Sequence, residues 1–436
     1  MSTLGKSINI SDFLNSNAAQ EISQWIGSSN VVRNQKSIEF RQNIKDKITP
    51  KQSYSNIRNN KDFPFLKDVP VQVLRNSASN VFRDLEAFKK GIRAFPKIKN
   101  KFKKRNCSIT KELFFVEDMG EKSRICIYNH AKKGKSILFS VIVDVKKERI
   151  NNTLILSRQG RKFYLSFSYK DNVEWVDNEK LLDDLSYLSK EELIPLVTGV
   201  DRGVARPIYT NNGLVITYSI EEREKLKKLN QKKARTQRYL AKLKRINKER
   251  TKNQEKQQQK IAKIDHRIGN TRKNFAHHTS KALAENTVKI LSLEALKLKN
   301  MTKKAKPKKE GRVFVKNNQA QKRGLNRAIL NVNLGMIAQF TKYKLNRQGK
   351  AWVEVNPSNT SKIHYKCGSK NTIRPKQDTL ICLDCNQVVD ADLNASENIA
   401  SRGVDYIIER TFTKKKSRKK TSRRKKKRVV TEQSLL

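Results

Sequence analysis

Acidic residues are scarce in this chain: 41 Asp and Glu stand against 95 Lys and Arg, a formal net charge of +54. A folded polycation of this kind repels itself unless a polyanion neutralises it, so nucleic acid is the expected partner. The run KKKSRKKTSRRKKKR near the C-terminus carries 12 of the positive charges, and the remainder still stands at +42. The excess therefore runs through the whole chain. Long apolar runs are also missing. No stretch reaches the ~20 residues of a transmembrane helix, no amphipathic lipid-anchoring segment stands out, and MSTLGKSINISDF lacks the apolar centre of a secretory signal. These absences predict an intracellular protein with no membrane partner. Cysteine is rare, and five in 436 residues argue against a disulfide scaffold. Cys107 and Cys126 are isolated and read as packing residues, whereas Cys367, Cys382 and Cys385 share one short segment.

Along the chain, residues up to about 105 read as helical and basic, with Val71, Val73, Leu74, Val81, Leu85 and Phe88 at helical spacing. FPKIKNKFKKRN breaks this pattern at Pro96 and releases a cationic run. From Cys107 to about Trp175 the texture turns to strands, as in SRICIYNHAKKGKSILFSVIVDV and RKFYLSFSYK, which suit a small sheet or barrel. DNEKLLDDLSYLSKEELIP reads as an acidic linker, LVTGVDRG as an apolar strand and turn, and Asn211-Asn212-Gly213 as a hairpin turn. Residues 221–286 predict two long basic helices. One carries Leu226, Leu229, Leu240 and Leu243 on a face; the other carries Ile261, Ile264, Ile268 and Phe275. TVKILSLE is a further buried strand, followed by a Lys-rich loop, the helix NRAILNVNLGMIAQFTKYKLNRQG and the strand AWVEVNP. DLNASENIASRG begins a last helix, and beyond Thr413 the tail is low in complexity and expected to be disordered alone.

The segment HYKCGSKNTIRPKQDTLICLDC spaces His364 and Cys367, then Cys382 and Cys385, as two ligand-x2-ligand pairs with 14 residues between them. Such knuckles present four ligands tetrahedrally, and zinc accepts an imidazole nitrogen in place of a thiolate. Four protein ligands leave no open position for water, so the expected zinc is structural: a clip for a region too small to build its own core.

Three acidic residues sit where strands end or a helix begins. Asp201 follows the apolar run LVTGV, Glu294 follows VKILSL, and Asp392 opens the last helix. Two side-by-side strands would bring Asp201 and Glu294 together, with Asp392 approaching from the helix. Clustered carboxylates repel unless cations bind, and hard oxygen ligands suit Mg2+ or Mn2+. Two such ions can hold a phosphate, activate water and stabilise a leaving oxygen. Asp390 competes with Asp392 for the third role, and Asn394 is a supporting ligand or a helix cap.

At these residues the chain resembles the TnpB family of transposon-encoded, OrfB-type RNA-guided nucleases, relatives of the compact type V CRISPR effectors and of Fanzor. GVDRG resembles the first RuvC-like motif, LSLEALKLKNM the second and DADLNASENI the third, which would make Asp201, Glu294 and Asp392 the catalytic, Mg2+-holding set. VNPSNTSKIHYKCG resembles the entry to the zinc ribbon, with His364 where the family commonly has Cys. FLKDVPVQVLRNSASNVFRDLEAFKKG with FPKIK resembles the recognition region, and KNNQAQKRGLNRAIL the segment leading to the helix before the ribbon.

The resemblance implies a multidomain α/β fold: a RuvC-like (ribonuclease-H-like) core with an inserted zinc ribbon, an N-terminal helical recognition region and a small β-barrel wedge domain. On that reading, residues 1–10 are a first wedge strand that matches the family's opening poorly, 11–106 the recognition domain and 107–190 the wedge and linker. Residues 191–359 and 390–412 make the nuclease, 360–389 the ribbon and 413–436 the basic tail. It further implies a guide RNA of the omega type, double- and single-stranded target DNA, two Mg2+ (or Mn2+) ions and one structural Zn2+. Monomeric state is favoured, with a location in cytoplasm or nucleoid, or in the nucleus of a eukaryote. Rival readings are a guide-dependent DNA-binding regulator that does not cut, a transposase joining DNA ends, and a general RNA-binding protein. All three carboxylates are present, which argues against the regulator. The ribbon within the carboxylate set argues against the transposase, and the general binder explains only the charge.

Overall fold

The computed structural model describes residues 3–99, 105–129, 136–160, 162–247, 249–311, 313–315 and 317–410. Residues 100–104 of the cationic run, Arg312 of the Lys-rich loop and the basic tail 413–436 lie outside the described residues. The chain divides into two compact units, 1–174 and 175–436. Among the described residues no helix is long and apolar enough to cross a membrane.

In the first unit, strand β1 (Thr3–Asn9) precedes helices α1 (Ser16–Lys45) and α2 (Val71–Lys89). Six strands follow: β2 (Arg105–Thr110), β3 (Phe114–Met119), β4 (Lys122–Tyr128), β5 (Ile137–Val143), β6 (Ile150–Gln159) and β7 (Lys162–Lys170). They form two antiparallel sheets, ordered β1-β7-β6-β2 and β3-β4-β5. The expected small sheet or barrel is thus split between two hydrogen-bonded sheets. Residues 3–9, the first strand, lie along β7 from Thr3↔Lys170 to Asn9↔Tyr164. Val73, Leu74, Val81 and Leu85 of the predicted stripe are buried, but Val71 and Phe88 are exposed because they fall on the first and last turns of α2. Trp25, Ile22 and Leu74 join Cys107, Ile109, Leu156 and Leu165 in one core.

The second unit opens with α3 (Asn178–Leu185), inside the segment that reads as an acidic linker. Its Leu181, Leu182 and Leu185 are buried with Leu193, so the acidic residues are only the outer face of a core helix. β8 (Val197–Asp201), β9 (Ile208–Thr210) and β10 (Val215–Ile216) follow, then α4 (Ile220–Ile246) and α5 (Lys252–Asn286). β11 (Ile290–Glu294) leads to the hairpin β12 (Lys308–Glu310) and β13 (Val313–Val315), then α6 (Gln319–Val332), α7 (Leu334–Arg347) and β14 (Ala351–Val355). β15 (Thr372–Lys376), β16 (Thr379–Cys382) and β17 (Val388–Asp390) make a small antiparallel sheet, and α8 spans 391–410.

The main sheet runs β10-β9-β8-β11-β14, with β8, β11 and β14 parallel. β8 and β11 are buried almost end to end because helices cover both faces, whereas β14, at the sheet's edge, exposes Glu354. Side chains alternate across a strand. Leu291 and Leu293 therefore meet α5, α6 and α7 on one face, while Ile290 and Val353 meet Ile399, Ala400 and Val404 of α8 on the other. The same alternation puts Gly199 and Asp201, and Ser292 and Glu294, on the α8 face.

α8 approaches this face very closely. A Cβ at Gly199 would lie 2.0 Å from the Ser396 carbonyl oxygen and 2.6 Å from the Ala400 nitrogen, and one at Gly403 would lie 2.7 Å from Ser292 Oγ. Ser292 Oγ donates to the Ile399 carbonyl at 2.7 Å. Gly199→Ala is expected to destabilise the protein by about 1–3 kcal/mol, the usual cost of overpacking. Gly5→Ala, where an added methyl group meets nothing within 4 Å, is expected to stay within about 0.5 kcal/mol. Denaturant titration of the two variants checks the contrast.

Candidate functional site

Parallel pairing sets the first two carboxylates side by side. β8 and β11 run in register from Val197↔Ile290 to Val200↔Leu293, so Asp201 and Glu294 come next on adjoining strands. Both stand at the carboxyl ends of parallel strands, where open α/β sheets form their ligand crevices. Burial, followed by the charges of Glu294 and Asp392, pushes the Asp201 carboxyl up to about 7. Burial likewise raises Glu294, against the pull of the Thr360 hydrogen bond and of Arg202, and raises Asp392 against the pull of Arg206.

Asp392 arrives from the first turn of α8. Two residues earlier, Asp390 ends β17 and caps that helix: its Oδ1 accepts from the Asp392 and Leu393 backbone N–H groups at 2.9 and 3.1 Å. Its Oδ2 accepts from Arg206 Nη1 at 2.8 Å. Burial alone would raise Asp390, yet Arg206 and the two backbone donors bring its carboxyl below the usual range. Both of its oxygens are thus committed, and Asp392 is the carboxylate left facing the strand ends. Arg206 Nη1 also reaches Asp392 Oδ2 at 3.2 Å.

Several supporting side chains carry no sequence signal that chemistry alone would flag. Thr360, 3% exposed, donates through Oγ1 to Glu294 Oε1 at 2.8 Å and so fixes that carboxylate. Arg202, buried under the strand ends, donates to the Glu294 carbonyl oxygen. Asn394 is neither cap nor carboxylate partner. Its Oδ1 accepts from Tyr365 N at 2.9 Å and its Nδ2 donates to Ile363 O at 2.7 Å, while Asn398 Nδ2 donates to Thr360 O and Ile363 O. One helix face therefore grips the chain from Thr360 to Tyr365, just ahead of the ribbon. Thr360 lies within the quoted stretch VNPSNTSKIHYKCG, and Arg206 lies five residues past Asp201 in GVDRGVARP; only the fold shows what either touches.

His364, Cys367, Cys382 and Cys385 come together, with one ligand atom from each within 4.8 Å of the others. Cys367 Sγ lies 3.6 Å from both Cys382 Sγ and Cys385 Sγ, and His364 Nδ1 lies 3.1 Å from Cys367 Sγ and 3.4 Å from Cys385 Sγ. These separations approach the ~3.6–3.8 Å edges of a tetrahedron built on zinc–sulfur bonds of about 2.3 Å. The donor set fits structural zinc, bound by His364 through Nδ1. Among the described residues this is the one such cluster; the carboxylate oxygens of Asp201, Glu294 and Asp392 are not gathered as tightly. After burial, the charges of Glu294 and Asp392 are what hold off ionisation of Asp201.

The isolated protein is expected to carry about one zinc per chain. His364→Ala should lower both zinc content and melting temperature, whereas His364→Cys, which restores a ligand, should keep the metal. Elemental analysis and calorimetry of the purified variants check this; full zinc occupancy in His364→Ala would remove that residue from the ligand set.

Residues 189–305 match the family model OrfB_IS605, described as a probable transposase, and residues 335–399 match the Cas12f1-like TNB domain. The first match spans Asp201 and Glu294; the second spans the ribbon and Asp392. The chain is 26% identical over 360 residues to the Putative RNA-guided DNA endonuclease InsQ of Escherichia coli (strain K12), covering 79% of this chain and 78% of that one. It is also similar in fold to the cryo-EM structure of a Cas12f1-sgRNA-target DNA complex, with a TM-score of 0.50 and 17% identity over 87% of this chain and 82% of that chain. The resemblance to the TnpB family carried by the sequence motifs is borne out by both family models and by the curated relative.

Proposed function

We propose that this chain is an RNA-guided DNA endonuclease: it binds a transposon-derived guide RNA, recognises a short motif beside its target and cuts DNA by metal-dependent phosphodiester hydrolysis in a RuvC-like site. The observation that carries the reading is the arrival of Asp201, Glu294 and Asp392 at one edge of the parallel sheet, where burial and then the charges of Glu294 and Asp392 weigh on Asp201. The similarity to a relative named as a putative RNA-guided DNA endonuclease supports the same assignment. On this reading the helices of the first unit form the recognition region and its sheets the wedge. The basic faces of α4 and α5 hold nucleic-acid backbone, and base pairing with the guide reads sequence.

Asp201, Glu294 and Asp392 would hold two Mg2+ or Mn2+ ions, which when bound supply charge neutralisation at the scissile phosphate and an activated water. The chain's own contribution is positional. Thr360 holds the Glu294 carboxylate through Oε1, Arg202 pins the end of β11, and Asp390 sets the first turn of α8, which carries Asp392. Arg206 neutralises Asp392 and would compete with a cation there. The ribbon, whose last strand ends at Asp390, would fix that turn and flank the entry for single-stranded DNA.

Asp201→Ala is expected to abolish cutting of guide-matched DNA with Mg2+ while sparing binding of guide and target, measured by gel cleavage and filter binding; undiminished cutting would refute the assignment. Because ionisation of Asp201 is held off until about pH 7, protons compete with metal: cleavage should rise with pH through that value, and more Mg2+ should shift the profile to lower pH. The linked effect on stability has a definite sign. A carboxyl raised in the fold favours the folded state below its unfolded pKa, and that contribution is lost as pH rises through about 7. Without Mg2+ but with zinc retained, the melting temperature should therefore fall across this window, and added Mg2+ should restore it.

A further inference from the structure

The loop that follows Asp201 has two sides. Arg206 turns toward Asp390 and Asp392, as described above. Val204, Ala205 and Pro207, its neighbours in the same loop, instead wall a cavity of about 560 Å³ that the proposed mechanism does not use. That volume lies within the ~300–1,000 Å³ of small-ligand sites. Leu226 of α4 and Ala328 and Val332 of α6 supply the facing apolar walls. Tyr218 adds an ordered floor: its ring stacks on Phe275 at 3.7 Å, and its hydroxyl donates to the Asn331 carbonyl at 2.9 Å.

The rim is cationic. Arg223, Lys227 and Arg327 all line the cavity, no Asp or Glu does, and none of the three pairs with a carboxylate among the described residues. Apolar walls for a flat ring beside unneutralised cations are the two demands of a nucleotide, a base that leaves water and a phosphate that needs charge. Position narrows the occupant further. Asp201 and Val204 are three residues apart, so the cavity wall begins at most ~11 Å of backbone from Asp201, at the sheet edge around which a DNA strand would pass from the α8 face to the α4–α6 face. At roughly 3.4 Å or more per nucleotide, a strand lying across the carboxylates reaches the cavity within about three nucleotides.

We propose that this cavity seats one nucleotide of the DNA strand held at the carboxylates, its base against Leu226, Ala328 and Val332 and its phosphate toward Arg223, Lys227 and Arg327. The proposal rests on the endonuclease reading and adds a substrate subsite to it. Seating one nucleotide a fixed step from the metals would register the strand, so that cuts fall at a set distance from the occupied cavity.

The test uses the full chain with its guide RNA, carrying Asp201→Ala so that DNA stays intact, and target DNA with 2-aminopurine placed at single positions around the mapped cut. One position within about three nucleotides of the cut should change fluorescence on binding. Ala328→Trp, which fills the cavity from a half-exposed helix position, should erase that response, and Arg327→Gln should weaken it. Binding of the single strand should fall about tenfold in Ala328→Trp, the scale of losing one base stack. A second series with the probe in the guide RNA separates the alternative occupant. The proposal is overturned if the responding position ignores both substitutions, if no DNA position responds, or if only guide positions do. Persistence of cutting in the Asp201→Ala variant would instead strike the catalytic assignment, while the fluorescence would still report whether the cavity holds a base.

Discussion

The close approach of α8 to the sheet is the constraint on which the rest of the second unit depends. Glycine at positions 199 and 403 lets helix backbone reach strand backbone, and the Ser292 hydroxyl ties the two together through Ile399. A helix held this tightly has little freedom to slide, so its first turn, with Asp392, is fixed over the strand ends. The strands in turn are held by parallel pairing with β14 and β8, which places Glu294 beside Asp201. Burying Asp201 beside two further acids costs free energy, visible in a carboxyl raised first by burial and then by the Glu294 and Asp392 charges.

The ribbon and the carboxylates are coupled by a very short piece of chain. Cys385 lies five residues before Asp390, and Asp390 is both the end of the ribbon's last strand and the cap of α8. Asn394 and Asn398 return from that helix to hold residues 360–365, the other side of the ribbon's base. The His364, Cys367, Cys382 and Cys385 cluster is therefore fastened on both flanks to the element that carries Asp392. Its four ligands organise a sheet of only three short strands, which has little apolar core of its own apart from Leu380.

Much of the site could be read before the fold. The paired x2 spacings pick out the four residues that the fold gathers, because spacing and residue type are both visible in the sequence. Asp201 and Glu294 stand out because each ends an apolar run, and a carboxylate there breaks the pattern. What hides is whatever depends on contacts between distant segments. Arg206 is one basic residue among 95 until Asp390 and Asp392 are seen beside it. Thr360 is an ordinary loop residue until its hydroxyl meets Glu294. Charge misled in one place: the acidic segment before β8 reads as a linker, because its outward Asp and Glu mask the buried leucines of α3. In the first unit, β-rich texture predicted strands correctly but could not say how they divide into two sheets.

On the proposed function, Asp201, Glu294 and Asp392 share divalent cations. Anomalous diffraction from crystals of the zinc-loaded protein soaked in Mn2+ tests it most directly, because manganese and zinc are distinguished by absorption edge. Manganese peaks are expected within about 2–2.5 Å of carboxylate oxygens from all three residues, with Arg206 displaced from Asp392. Manganese absent from that edge of the sheet, or held by Asp390 in place of Asp392, would contradict it.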